Sequence, residues 1–136
     1  MIEQVKVTLP TYQRGFHIIT NDIKSALPEL PETGLLHLFI QHTSAGISIN
    51  ENADPTVLAD MNQWFDRNIK ENEPYYRHTY EGSDDMPAHI KTVLTGFEIT
   101  LPITNYDLNL GTWQGIYLGE FRNHGGNRKI IATIYY

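Results

Sequence analysis

The sequence predicts a single α+β domain over residues 1-136, with a β-rich, mostly antiparallel core and two or three helices. Short stretches of period-two apolar alternation cluster together instead of alternating strictly with helices, which favours an antiparallel sheet over a doubly wound one. Two longer stretches carry helical spacing with recognisable starts and stops. No repeat, linker or low-complexity run divides the chain, and a chain of this length buries roughly two-thirds of its unfolded surface around one core.

The elements follow in order. Ile2 to Leu9 places Val5, Val7 and Leu9 on one side, the pattern of a half-buried strand. Tyr12 to Gly15 reads as a turn and Phe16 to Ile19 as a second strand. Thr20 is placed to cap a short helix carrying Ile23, Leu27 and Leu30, ended by Pro31 and Gly34. Leu35 to His42 alternates again, with Leu36, Leu38, Ile40 and His42 on one face, so that His42 ends an apolar row. Ile47 to Ile49 is another short apolar piece.

Asp54-Pro55 is a strong helix start, a carboxylate at the cap followed by a residue whose missing N–H costs nothing there. The helix runs to about Asn72, repeating Val57, Leu58, Met61, Trp64, Phe65 and Ile69 on one side, and Pro74 closes it. A further helix is expected near Met86-Pro87, with Asp84 and Asp85 at its positive end and Gly96 to stop it. Phe97 to Ile103 alternates inward, with Pro102 marking an edge or bulge. Gly115 to Arg122 and Lys129 to Tyr136 are the last two strands, joined as a hairpin through Asn123-His124-Gly125-Gly126-Asn127.

Composition removes several functions. The 16 acidic and 10 basic residues give a formal charge of -6, and the basic ones are scattered, opposite to what a phosphate-backbone partner requires; no nucleic-acid role is expected. With no cysteine there is no disulfide, no thiolate metal site and no thiol nucleophile, so a metal must use His, Asp or Glu. Met1 to Pro10 lacks the basic start and apolar run of a signal peptide, and no stretch approaches the ~18 apolar residues of a membrane span. A cytoplasmic location without a membrane role is the expectation.

Chemistry-bearing residues gather in three blocks. The first is Gln41-His42-Thr43-Ser44-Ala45-Gly46 with Asn50-Glu51-Asn52-Ala53-Asp54, imidazole, hydroxyls, amides and carboxylates around a strand end and a helix start, a natural place for an anion or a metal-bound ligand. For Asp54 alone, ordinary capping is the preferred reading. The second runs from His78 to His89 and brackets Glu81, Asp84 and Asp85 with imidazoles, offering nitrogens to zinc and oxygens to magnesium. His78 and His89 are too far apart for a local motif, so the fold must bring them together. The third, Leu110 to Arg122, puts Glu120 and Arg122 on one strand face with Ile116 and Leu118. That is either a satisfied pair at a subunit interface or a carboxylate ligand beside a phosphate-holding arginine. Trp113 reads as core before substrate platform, and His17, His37 and His124 as surface or turn residues.

In these blocks the chain resembles the YjbQ-like family: His42-Thr43-Ser44-Ala45-Gly46 through Asp54-Pro55, Glu81-Gly82-Ser83-Asp84-Asp85-Met86-Pro87-Ala88-His89-Ile90-Lys91, and Leu110-Gly111-Thr112-Trp113-Gln114-Gly115-Ile116-Tyr117 to Glu120-Phe121-Arg122. The resemblance implies a homotrimer of compact α+β domains with a histidine-lined site for a metal or an anion. It also implies a secondary thiamine-phosphate synthase activity, joining a pyrimidine diphosphate to a thiazole phosphate with loss of pyrophosphate.

Three functions are therefore weighed. The first is an enzyme acting on a small phosphorylated or anionic metabolite, with Arg122 and a divalent cation neutralising pyrophosphate and Asp84 and Asp85 as oxygen ligands. The second is a zinc hydrolase with His42, His78 and His89 as ligands and Glu51 or Glu81 as base. The third is a non-catalytic ligand-binding trimer. Thr43, Ser44, Asn50 and Glu120 complete the candidate ligand or anion contacts.

Overall fold

Two antiparallel sheets enclose the core. In the computed structural model, which describes residues 1-136, the order is β1 (Ile2–Thr8), β2 (Gly15–Ile18), α1 (Thr20–Ala26), β3 (Thr33–Ile40), β4 (Ala45–Glu51), α2 (Pro55–Asn68), α3 (Asp85–Thr95), β5 (Glu98–Thr104), β6 (Asp107–Leu108), β7 (Gln114–Glu120) and β8 (Lys129–Tyr135). One sheet has the order β1-β8-β3-β5-β6 and the other β2-β7-β4. The inward rows of the first, Leu36, Leu38 and Ile40 with Ile130, Ala132 and Ile134, meet Ala45, Ile47, Ile116 and Leu118 of the second in one cluster of 17 buried residues. The period-two pattern read from the sequence is what makes this possible, because it turns every second side chain to the same face. No helix is long and apolar enough to cross a membrane.

The expected hairpin between the last two strands is not formed. β7 and β8 lie in different sheets, so the segment between them crosses from one layer to the other. Phe121 leaves the strand to join Phe16, Ala88 and Tyr117 in a second, aromatic core cluster, with Leu58, Met61 and Phe65 of α2 packed on its outside. Apart from the short β5-β6 pair, strand neighbours are distant in sequence: β1 with β8, β2 and β4 with β7, β3 with β5 and β8.

The helices differ from expectation in their ends. Asp54 caps α2 as read, accepting the Thr56 N–H at 2.9 Å, but the helix closes at Asn68 and none of its side chains is fully buried. Thr20 does not cap α1; its Oγ1 accepts the Ile116 N–H at 2.9 Å and so ties the helix start to β7. Gly96 terminates α3 with φ +103°, a left-handed conformation open to glycine. Phe97 and Trp113 stand exposed, where the sequence placed them inward.

Candidate functional site

α3 places Asp85 and His89 four residues apart on one helical face, and the oxygen Oδ2 of Asp85 lies 3.1 Å from His89 Nε2. His78, on the connection before α3, brings its own Nε2 to 2.7 Å from the same oxygen. The two imidazole rings are 5.2 Å apart, and the three candidate ligand atoms all lie within 4.8 Å of one another. Asp85 is almost wholly buried, while half of the His78 side chain and about a third of the His89 side chain are exposed, so the group opens to solvent on the side of the two imidazoles.

The acid is held from behind. Arg122 donates through Nη1 to the other oxygen of Asp85 at 2.6 Å, through Nε to Asp84 at 2.9 Å and through Nη2 to the Glu81 carbonyl at 2.7 Å. The Asn123 N–H adds a second donor to Asp84 at 2.9 Å. Burial by itself raises the pKa of both acids. For Asp84 the Asn123 N–H and Arg122 outweigh it, and for Asp85 the His78 hydrogen bond with the charges of His89 and Arg122 does so, leaving both below the ordinary carboxylate range.

The decisive contact is on the far side of His89. Its Nδ1 lies 2.9 Å from the Thr43 carbonyl oxygen, which can only accept, so Nδ1 carries the proton. In the neutral ring Nε2 then presents a bare lone pair to the Asp85 oxygen, acceptor against acceptor. That geometry is favourable only with a cation present: a second proton on the ring, or a metal shared by Nε2, the carboxylate and His78. A carbonyl fixing the tautomer of a ligating histidine is the usual support behind a protein metal site. Two nitrogens and one oxygen suit zinc, whose tetrahedral ligands stand about 3.3 Å apart; the 2.7 and 3.1 Å separations to Asp85 lie just below that value, and all three ligand atoms fall within 4.8 Å of one another.

Residues 4-136 match the family described as UPF0047 protein YjbQ-like. The chain belongs to this family. It is 54% identical over 133 residues to the UPF0047 protein YjbQ of Salmonella typhimurium, an alignment covering 96% of each chain, and 50% identical over 133 residues to that of Escherichia coli O157:H7. Its fold is that of a conserved hypothetical protein of Thermus thermophilus, with a TM-score of 0.81 and 35% identity over 93% of this chain and 97% of that one. A YjbQ/UPF0047 protein of Clostridium acetobutylicum gives 0.79 and 37% over 96% and 98%. Membership establishes the family and the fold and assigns no activity.

In this YjbQ-like chain His42 stands apart from the other two candidate histidines. Its Nε2 accepts the Lys129 N–H at 2.9 Å and its Nδ1 faces Arg128 Nη1 at 3.3 Å. Burial and then the Arg128 charge hold its pKa below the ordinary histidine value, against the opposing pull of Glu120. Asp85 takes the place in the ligand set that the sequence reading gave to His42. The signal was present, since Asp85 and His89 are an i, i+4 pair on a helix whose start Asp84 and Asp85 were read as marking.

Glu120 and Arg122 do not pair through their side chains. Glu120 is fully buried and takes a two-pronged contact from Arg128, at 2.7 and 2.6 Å, while Arg122 lies beyond the strand end and turns to α3. Arg128 also donates to the Ser44 carbonyl at 3.1 Å and hydroxyl at 3.0 Å. Gly125 serves this pair, because a Cβ there would fall 2.1 Å from a Glu120 oxygen. Sequence reading missed Arg128, although a buried acid requires a cation and Arg128 is the first basic residue after the 123-127 loop.

The remaining candidates separate along β4. Ala45 pairs with Glu120 and Glu51 with Gln114, so Glu51 and its neighbour Asn50 sit at the far end of the strand, roughly 20 Å from Ser44. The main-chain oxygen of Glu51 accepts the Tyr117 hydroxyl at 2.5 Å. Thr43 contributes its carbonyl and Ser44 its bonds to Arg128; both therefore position other groups.

Proposed function

We propose that this YjbQ-like protein holds a zinc ion at His78, Asp85 and His89 and acts as a hydrolase on a small phosphorylated or otherwise anionic metabolite. The contact that carries this reading is the Thr43 carbonyl at 2.9 Å from His89 Nδ1, which leaves Nε2 free toward Asp85 and His78. Three protein ligands leave the fourth position of a tetrahedral ion open. When bound, zinc supplies Lewis-acid polarisation and brings the pKa of a water toward neutrality. Asp85 is a ligand whose second oxygen is fixed by Arg122, so Arg122 is a positioning residue. Glu81, exposed and with its main chain pinned to the same guanidinium, is the carboxylate available to take a proton.

Thiamine-phosphate synthase activity is the second reading, carried by the family resemblance together with the adjacent carboxylates of Asp84 and Asp85. The geometry favours it less. Asp84 is engaged by Arg122 and Asn123, and Arg122 spends three of its five N–H donors inside the protein, one on each nitrogen, so neither an oxygen cage for magnesium nor an uncommitted guanidinium for pyrophosphate stands ready. Assembly as a homotrimer belongs to the same proposal. Ile2, Tyr135, Leu35 and Pro102 lie directly opposite one another across four strands on the outer face of the larger sheet, an exposed apolar row that a neighbouring copy can cover.

Elemental analysis of the native protein, with its mass in sedimentation, tests the reading. About one zinc per chain is expected, lost in His78→Ala and Asp85→Ala and kept in His42→Ala, followed by release of phosphate from a panel of phosphomonoesters. Zinc that survives both ligand substitutions, or no zinc in the native protein, overturns it.

A further inference from the structure

A groove of about 460 Å³ opens between the end of β3 and α3, within the size range of small-molecule sites. One wall is apolar: Phe39 and Phe97 meet edge to face at 5.7 Å, and Val93 is 83% exposed beside them with nothing covering it. The other wall brings His42, Thr43 and His89. No Asp, Glu, Lys or Arg lines the groove, so a second charge on an occupant would be desolvated there without a partner. Gln41, whose side-chain amide makes no hydrogen bond within the protein, supplies a neutral polar arm at the rim. His89 is common to this groove and to the ligand set of Asp85 and His78.

We propose that the groove receives a flat apolar portion of the metabolite whose anionic group is held at the His78, Asp85 and His89 centre, so that the substrate class is an aryl or similarly flat apolar monophosphate or carboxylate. This rests on the zinc site proposed above and adds to it the side of the substrate that carries no charge. Of the ligand set only His89 lines the groove, so zinc bound there would put a cationic pole at the His89 end of a wall that favours apolar contact and offers no partner to further charge. Sugar phosphates and polyphosphates fit such a wall poorly, whereas an aromatic ring extends the edge-to-face pair of Phe39 and Phe97.

Calorimetric titration of the zinc-loaded protein with phenylphosphonate and with methylphosphonate tests it, since neither is a hydrolysable ester. Phenylphosphonate is expected to bind at least about tenfold tighter, the effect of burying one ring. Val93→Asp, at an exposed position that does not threaten folding, is expected to abolish that preference while zinc content stays the same. Equal affinities on a zinc-loaded protein overturn this inference and leave the metal site standing; a protein that holds no zinc overturns the metal site and this inference with it. A Val93→Asp protein with altered sedimentation mass and an unchanged preference shows a groove covered by another copy of the chain, which also overturns it.

Discussion

Asp85 and Glu120 are both buried acids facing an arginine, and they have opposite characters. Glu120 commits both oxygens to one guanidinium, Arg128, whose Nη2 also donates to Ser44, and Glu120 accepts the Arg122 N–H besides. The pair is closed on all sides, and Gly125 is there to leave room for it. Asp85 gives only one oxygen to its arginine; the other is shared by two imidazoles, one of which has its proton drawn to the opposite nitrogen by a carbonyl. A fully satisfied ion pair ties strands together, whereas an acid whose second oxygen faces two imidazole nitrogens on an open side keeps a place that a proton or a metal can take. The two are also connected, since Arg128 clamps Ser44 and thereby the preceding Thr43 carbonyl that orients His89.

The largest effect is expected at the closed pair. Arg128→Met strands the Glu120 charge, and urea unfolding should lose about 3 to 5 kcal/mol; the double variant with Glu120→Gln should recover much of it. A loss in Arg128→Met below about 1 kcal/mol would show that Glu120 had found other solvation. At the open cluster the loss should appear in the ligand and much less in the fold: Asp85→Ala should weaken zinc, measured against a competing chelator, by about a hundredfold or more.

A pH titration separates the two regions further. His42 is depressed below its unfolded value by burial and Arg128, so the unfolded chain binds the proton more readily. Its contribution is complete above about pH 6.5 and is lost as pH falls through that value toward the folded one. Asp84 and Asp85, also depressed, hold their contribution to lower pH and lose it as pH falls through the carboxylate range. Thermal melts should therefore decline in two stages on acidification, and His42→Gln should flatten the first alone. The smallest effect is expected far from both. Glu51→Ala should leave zinc unchanged and alter stability by no more than about 0.5 kcal/mol; a clear loss of zinc would bring that end of β4 into the site.

Much of the fold was legible in local pattern. The Asp54-Pro55 start, the α3 start at Asp84 and Asp85 and the alternation of Leu36, Leu38 and Ile40 depend on neighbouring residues alone. The hairpin expected between β7 and β8 failed because glycines in a short connection show only that the chain turns; which sheet receives the next strand depends on a partner such as β3, about ninety residues earlier. The candidate site was legible in the same proportion. His78 and His89 were both named, but grouping them with His42 required a distance that no spacing carries, and Glu51, read as a base, lies at the end of β4 away from Ser44.

By itself, the sequence determined the residue types available for chemistry, that any metal would have only imidazole and carboxylate side chains as ligands, the helix starts, and the face each strand turns inward, because these follow from composition and from periods of two and 3.6 residues. Only the tertiary structure decided that Arg128 answers Glu120, that Arg122 answers Asp84 and Asp85, and that the Thr43 carbonyl meets His89. Each of those contacts joins elements between 8 and 46 residues apart in the chain. Burial makes a polar group take a partner, and the packing of the two sheets against α3 selects which one is within reach.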